Sequence, residues 1–130
     1  MLPSNDAEYL KIISPGHSLA TEANMICVVL PGFALPTGFT VGTSNLLLRL
    51  APGYPDVPPD MWWFDPPVLR SDGTPIPATE VREQHLGRVW QRWSRHLEAS
   101  HWKSGTDSIE SYLALVRAQL IAAAPRAAAA

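Results

Sequence analysis

The chain has 130 residues, 46% of them hydrophobic, and ten basic against twelve acidic side chains give a formal charge of −2. That balance fits one globular domain with its own core, and excludes a disordered chain or one with the basic footprint of a nucleic-acid binder. One cysteine excludes an internal disulfide, no Cys/His cluster has zinc spacing, and no apolar run reaches the roughly 18 residues of a membrane span.

The opening MLPSNDAEYLKII lacks the basic-then-apolar order of a signal peptide, so a cytoplasmic protein without metal, cofactor or membrane partner is expected. Asn5 to Ile13 predicts a short helix capped at Asn5 or Ser4, with Tyr9, Ile12 and Ile13 on one face and Ser14-Pro15-Gly16 as its stop. Met25 to Leu30 is a continuous apolar run, the pattern of a strand buried on both faces, ending at Pro31-Gly32. Phe39-Thr40-Val41 predicts a further short strand. Leu46 to Leu50 and Met61 to Phe64 are strand-length apolar runs bounded by proline, and the stiff segment Ala51 to Asp60 joins them. Connections too short for helices indicate an antiparallel meander of about four strands.

Asp72-Gly73 marks a turn in the loop that follows. Between Thr79 and Leu97, Val81, His85, Leu86, Val89, Trp90, Trp93 and Leu97 recur among charged residues, which predicts helix over part of the segment, with Gly87 as its weak point. The last helix opens near Asp107, whose spacing to Glu110 is that of a capping box. Ile109, Tyr112, Leu113, Val116 and Leu120 make one apolar stripe along it. The fold class is α+β, with helices segregated on an antiparallel sheet, one domain over residues 1–124 and an alanine-rich frayed tail at 125–130.

Tyr54-Pro55-Asp56-Val57-Pro58-Pro59, followed by the aromatic strand Met61 to Phe64, resembles the Tyr-Pro-x-x-Pro-Pro element of the ubiquitin-conjugating enzyme (UBC-like) fold. The segment Trp90 to His96 and the Asp107 helix look like a divergent prokaryotic branch, and the resemblance covers roughly residues 21–120. It implies a transferase of a bacterial ubiquitin-like conjugation pathway, receiving a ubiquitin-like protein from an activating enzyme and passing it to a target amine. The same resemblance implies three partners: the ubiquitin-like protein, the activating enzyme and a deubiquitinase-like peptidase. The departures from the family pattern matter as much. Where the family carries a His-Pro-Asn-like element and then a cysteine, this sequence has Asp65-Pro66-Pro67 and no thiol near Gly73 to Pro77. An ionised Asp65 accepts hydrogen bonds and cannot donate to an oxyanion as Asn does. Two functions stay open: transfer by a non-cysteine mechanism, and a catalytically silent module that only binds the ubiquitin-like protein or its activating enzyme.

Cys27, the one thiol, lies inside an apolar run, where cysteine acts as a small buried hydrophobe; a catalytic thiolate would need positive charge and solvent. Ser94 and His96 are the nucleophile and base of an oxyester mechanism if their segment is irregular, because residues two apart then share a face. On a helix the two would point apart and belong to a solvated rim. Tyr54, Trp62, Trp63, Asp65, Trp90 and Trp93 are the candidate partner-binding residues, with core packing the competing role for the tryptophans. His17, His85, His101, Asp60 and Asp72 complete the titratable candidates.

Overall fold

Alternation along the strands sorts the large side chains into two layers. Ile26, Val28 and Leu30, Leu46, Leu48 and Leu50, Trp62 and Phe64, and Trp93 all belong to one extended core. The residues between them, Cys27, Leu47, Trp63 and Trp90, form a separate, smaller cluster. In a strand, neighbours point to opposite faces, so a sheet with large side chains at every position has two buried faces. A computed structural model describes residues 2–125 of the chain.

The elements run α1 (Ser4–Ile13), β1 (Ser18–Glu22), β2 (Met25–Ala34), β3 (Thr43–Leu50), β4 (Trp62–Asp65), β5 (Arg82–His85), β6 (Arg88–Trp93), a 3-10 turn at Ala99–His101, and α2 (Ile109–Ala123). The strands form one curled antiparallel sheet in the order β1-β2-β3-β4-β6-β5. Both helices lie on the larger core: Leu2 and Leu10 from the first end, and Ile109, Tyr112, Leu113, Val116 and Leu120 from α2. The apolar stripe of α2 is therefore as predicted, and all five of its residues are buried. Each fully buried Leu contributes about 2 kcal/mol through burial alone.

The α+β class holds, but the sheet has six strands and not about four. Both missed hairpins have a two-residue turn in the left-handed region: Ala23 and Asn24 at φ 50° and 66°, Leu86 and Gly87 at φ 55° and 77°. Such turns favour Asn-Gly, and neither pair carries it. The segment between Thr79 and Leu97, expected to be helical in part, is thus a β-hairpin followed by irregular chain. Strand β2 passes through Pro31-Gly32 as a bulge and continues to Ala34. Phe39 makes only an isolated bridge to Arg70.

The first helix also turns a different face inward. Ile12 and Ile13 are exposed, while Leu10 and the carboxylate of Asp6 are buried. Asp6 Oδ1 accepts the Ile109 N–H at 2.9 Å, at the start of α2, and Oδ2 accepts the Tyr54 hydroxyl at 2.7 Å. One carboxylate thereby ties α1, the proline-rich crossing and α2 together. The cap of α2 is one residue later than expected: Ser108 is the N-cap, and its N–H donates to Ser111 Oγ at 2.9 Å. The alanine tail beyond residue 125 lies outside the described residues.

Candidate functional site

The sole thiol is enclosed. Cys27 is 0% exposed near the start of β2, packed with Leu47, Trp63 and Trp90. Two tethers to β5 hold these indoles: Trp63 Nε1 donates to Glu83 Oε1 at 2.8 Å, and Trp90 Nε1 to the His85 carbonyl at 2.9 Å. Arg88 lies over the Trp90 ring, 4.3 Å from its centroid. Enclosed in this way, the thiol packs as a small hydrophobe.

Ser94 and His96 sit in the irregular chain after β6, and each has its own partner. Ser94 Oγ accepts from Arg92 Nε at 3.0 Å, and its N–H donates to the Ala78 carbonyl. His96 Nδ1 instead meets Asp60 Oδ1 at 2.7 Å. The backbone explains why Asp60 reaches it. Met61 N–H donates to the Arg95 carbonyl, and the Tyr112 hydroxyl donates to Met61 O at 2.8 Å, so the start of β4 is pinned against residue 95. Met61 is held there at φ 60°, an uncommon conformation for a residue with a side chain. Burial, and then the Asp60 charge, pushes the Tyr112 hydroxyl well above the usual phenol range. His96 and Asp60 are 64% and 56% exposed, so the pair is open to solvent. A carboxylate oxygen can only accept, so His96 Nδ1 donates to Asp60, and Nε2 has no hydrogen-bond partner among the described residues.

The tryptophans are interior. Trp62, Trp90 and Trp93 are 0% exposed and Trp63 nearly so, which leaves none of them as a partner-facing hot spot. Trp62 and Trp93 stack in the helix-side core at 6.2 Å, and Trp63 and Trp90 roof the thiol. Tyr54 is half-buried, tied to Asp6 and tilted against Trp102 at 6.1 Å. Asp65 ends β4 and faces Arg88 at 3.5 Å, the one partner-binding candidate with a charge near the surface.

The chain after β4 is fixed by its neighbours. Gln91, itself buried, accepts the Val68 N–H at 2.8 Å and the Trp93 indole N–H at 3.0 Å, and donates to the Val68 carbonyl at 3.0 Å. Ser44 Oγ donates to the Pro66 carbonyl at 2.6 Å. A cavity of about 460 Å³ lies beyond, walled by Leu69, Thr74, Ile76 and Thr79. Arg70, on its rim, is engaged with the Ala123 and Pro75 carbonyls. In the turn below, hydrogen bonds from Thr74 hold the Asp72 carboxyl below its usual range. His17 is bonded to the Ser14 carbonyl, and His101 is exposed in the 3-10 turn.

Strand β5 carries a polar group that the helical reading of this stretch concealed. His85 Nδ1 lies 3.4 Å from Glu22 Oε1 and Nε2 lies 3.1 Å from Glu83 Oε1. Glu22 also accepts the Leu86 N–H at 2.8 Å, so the end of β1 touches the β5–β6 turn across the curl of the sheet. Arg92 completes the set at 2.9 Å from Glu83. The alternation of Glu83 and His85 along a strand is the signal that could have placed both on one face. Among the described residues, no group of three or more His, Cys, Asp or Glu is placed to hold a metal ion, and no helix is long and apolar enough to cross a membrane.

Comparison with known proteins gives one match. No curated protein and no solved structure matches the chain. The family model described as prokaryotic E2 family E matches residues 2–123, nearly all of the described chain. That span takes in the proline-rich crossing, the aromatic strand and α2 together, so the resemblance first carried by Tyr54 to Pro59 extends over the whole fold. The chain belongs to prokaryotic E2 family E.

Proposed function

We propose that the chain serves a ubiquitin-like conjugation pathway by engaging the ubiquitin-like protein or its activating enzyme without carrying a thioester of its own. One observation carries this reading: the only thiol is fully enclosed beneath two tethered indoles. The sequence agrees with it, since Asp65-Pro66-Pro67 stands where the family's oxyanion donor would be. The test incubates the protein with ATP, an activating enzyme and its ubiquitin-like protein. The expected result is a non-covalent complex in gel filtration and no reductant-sensitive adduct on this chain. A thioester that disappears in Cys27→Ala would refute the reading. A thiol titration supports the same test: Cys27 reacts with a chromogenic disulfide only in denaturant, and a fast native reaction would reopen the thioester mechanism.

A second reading keeps transfer activity without a covalent intermediate, and the 2.7 Å His96–Asp60 pair favours it. An amine attacks the acyl carbon of a thioester held on the activating enzyme. His96 Nε2 takes the amine proton as the C–N bond forms, and the thiolate leaves and is reprotonated. Here aminolysis of that thioester by free lysine accelerates with the wild type and falls to background with His96→Ala, while Ser94→Ala and Cys27→Ala keep the acceleration. No acceleration by the wild type would remove this reading and leave the binding one. A deubiquitinase-like peptidase is proposed as a further component of the same pathway.

A further inference from the structure

We infer that Arg49 and the cavity beside it form a binding site for a carboxylate attached to an apolar body. Arg49 projects from β3 on the face that carries Cys27 and Leu47, and its side chain is 14% exposed. Its Nε is buried with no hydrogen-bond partner among the described residues. The carboxylate paired with it, Glu22, stands 3.8 Å from Nη2, outside hydrogen-bond reach. Glu22 is instead occupied by the Leu86 N–H and by His85. A buried guanidinium short of acceptors is costly, and its planar fork matches a carboxylate bidentately.

The space for such a ligand is present. Arg49 lines a cavity of about 320 Å³ whose apolar walls include Met25, Val57, Pro58, Met61 and Trp63. Val57 and Pro58 belong to the proline-rich crossing, which is too stiff to collapse into the space. The two carboxylates on the wall already have partners, Glu83 in Arg92 and Trp63, and Asp60 in His96. His85, the remaining titratable group on the wall, is held between Glu22 and Glu83. Arg49 is the wall's under-coordinated donor, and its outer nitrogens are the groups a ligand would meet. The size suits one apolar residue ending in a carboxylate, or a branched organic acid.

An NMR titration of the isotope-labelled protein tests the site, read at the Arg49 Nε–H and Trp63 Nε1–H signals. The probes are N-acetyl-leucine, its amide N-acetyl-leucinamide, and 4-methylpentanoate. Both acids shift the two signals saturably, and the amide binds at least about tenfold more weakly. Tighter binding of N-acetyl-leucine assigns the ligand as a peptide C-terminus, and parity assigns it as a free organic acid. Equal binding of the amide, or no shift at either signal with any acid, overturns the proposal. Arg49→Lys keeps the charge and loses the fork, and is expected to weaken acid binding by about tenfold. The wild-type titration stands even if that variant does not fold.

Discussion

Removing the Asp6 carboxylate should cost more than its place in a short first helix suggests. Asp6→Ala leaves two donors without a partner: the Ile109 N–H at the start of α2 and the Tyr54 hydroxyl. At neutral pH that hydroxyl keeps its proton, as any phenol does, and burial, then the hydrogen bond to Asp6, pushes its titration further up. A hydrogen bond to a charged group contributes about 1.5–3 kcal/mol, and a carboxylate at a helix N-terminus adds about 0.3–1 kcal/mol. Two bonds of about 2 kcal/mol give an expected loss of about 4 kcal/mol, or a fall of about 15 °C in Tm for a chain of this size. Tyr54→Phe removes one donor and should cost about 2 kcal/mol, while Asp6→Asn keeps acceptor geometry and should cost about 1 kcal/mol. Urea unfolding of the two single variants and of Asp6→Ala/Tyr54→Phe closes a double-mutant cycle. The expected coupling is about 1–2 kcal/mol, because one bond is counted in both single variants. A loss below about 1 kcal/mol for Asp6→Ala, or strict additivity in the cycle, would refute the reasoning.

Gln91→Ala should lose about 3 kcal/mol in urea unfolding, since three hydrogen bonds to Val68 and Trp93 go and their partners stay buried; a change under about 1 kcal/mol would mean that water replaces the amide. Gly87→Ala puts a Cβ on a residue at φ 77° and should cost about 1 kcal/mol by thermal unfolding, with no change in the thiol's protection. Burial pushes the Glu83 carboxyl up, but hydrogen bonds from Trp63, His85 and Arg92 outweigh it and hold it below its ordinary value of 4.5. A depressed folded value means the contribution is complete above the unfolded value and is lost as pH falls through the folded one. Stability should therefore decline below about pH 4.5, and Glu83→Gln should flatten that decline; an unchanged slope would show that other carboxylates carry it.

The parts of the fold legible in the sequence are those where one period dominates. The α2 stripe from Ile109 to Leu120 repeats every three to four residues, and the paired runs at Leu46 to Leu50 and Met61 to Phe64 are bracketed by prolines. Strand β6 hides its nature because from Trp90 to Trp93 both of its faces are largely covered. Trp90 and Trp93, three apart, read as neighbours on a helix, yet they serve opposite faces of one strand. Leu86 supplied no turn signal, since its left-handed backbone is imposed by the hairpin and not favoured by its side chain. At the candidate site, the interior position of Cys27 was readable from its apolar neighbours. The pairing of His96 was not, because Asp60 is distant in sequence and meets it only through the backbone bond from Met61 to Arg95. The chemistry of Trp62, Trp63, Trp90 and Trp93 suits partner contacts, but β4 and β6 bury two of them each, one on either face.

The position of α2 in the chain has a consequence for how the protein is made. The sheet is complete once Trp93 has emerged from the ribosome, but the apolar face holding Leu46, Leu48, Leu50, Trp62 and Phe64 waits for Ile109 to Leu120 to cover it. At synthesis rates of about 5–20 residues per second, that face stays bare for on the order of seconds. The first helix cannot lock in the interval either, since the backbone N–H that Asp6 accepts belongs to Ile109. The nascent chain is thus most vulnerable to aggregation and chaperone capture between the sheet and α2. Substitutions that weaken the α2 stripe should reduce the yield of folded protein more than the properties of the molecules that do fold.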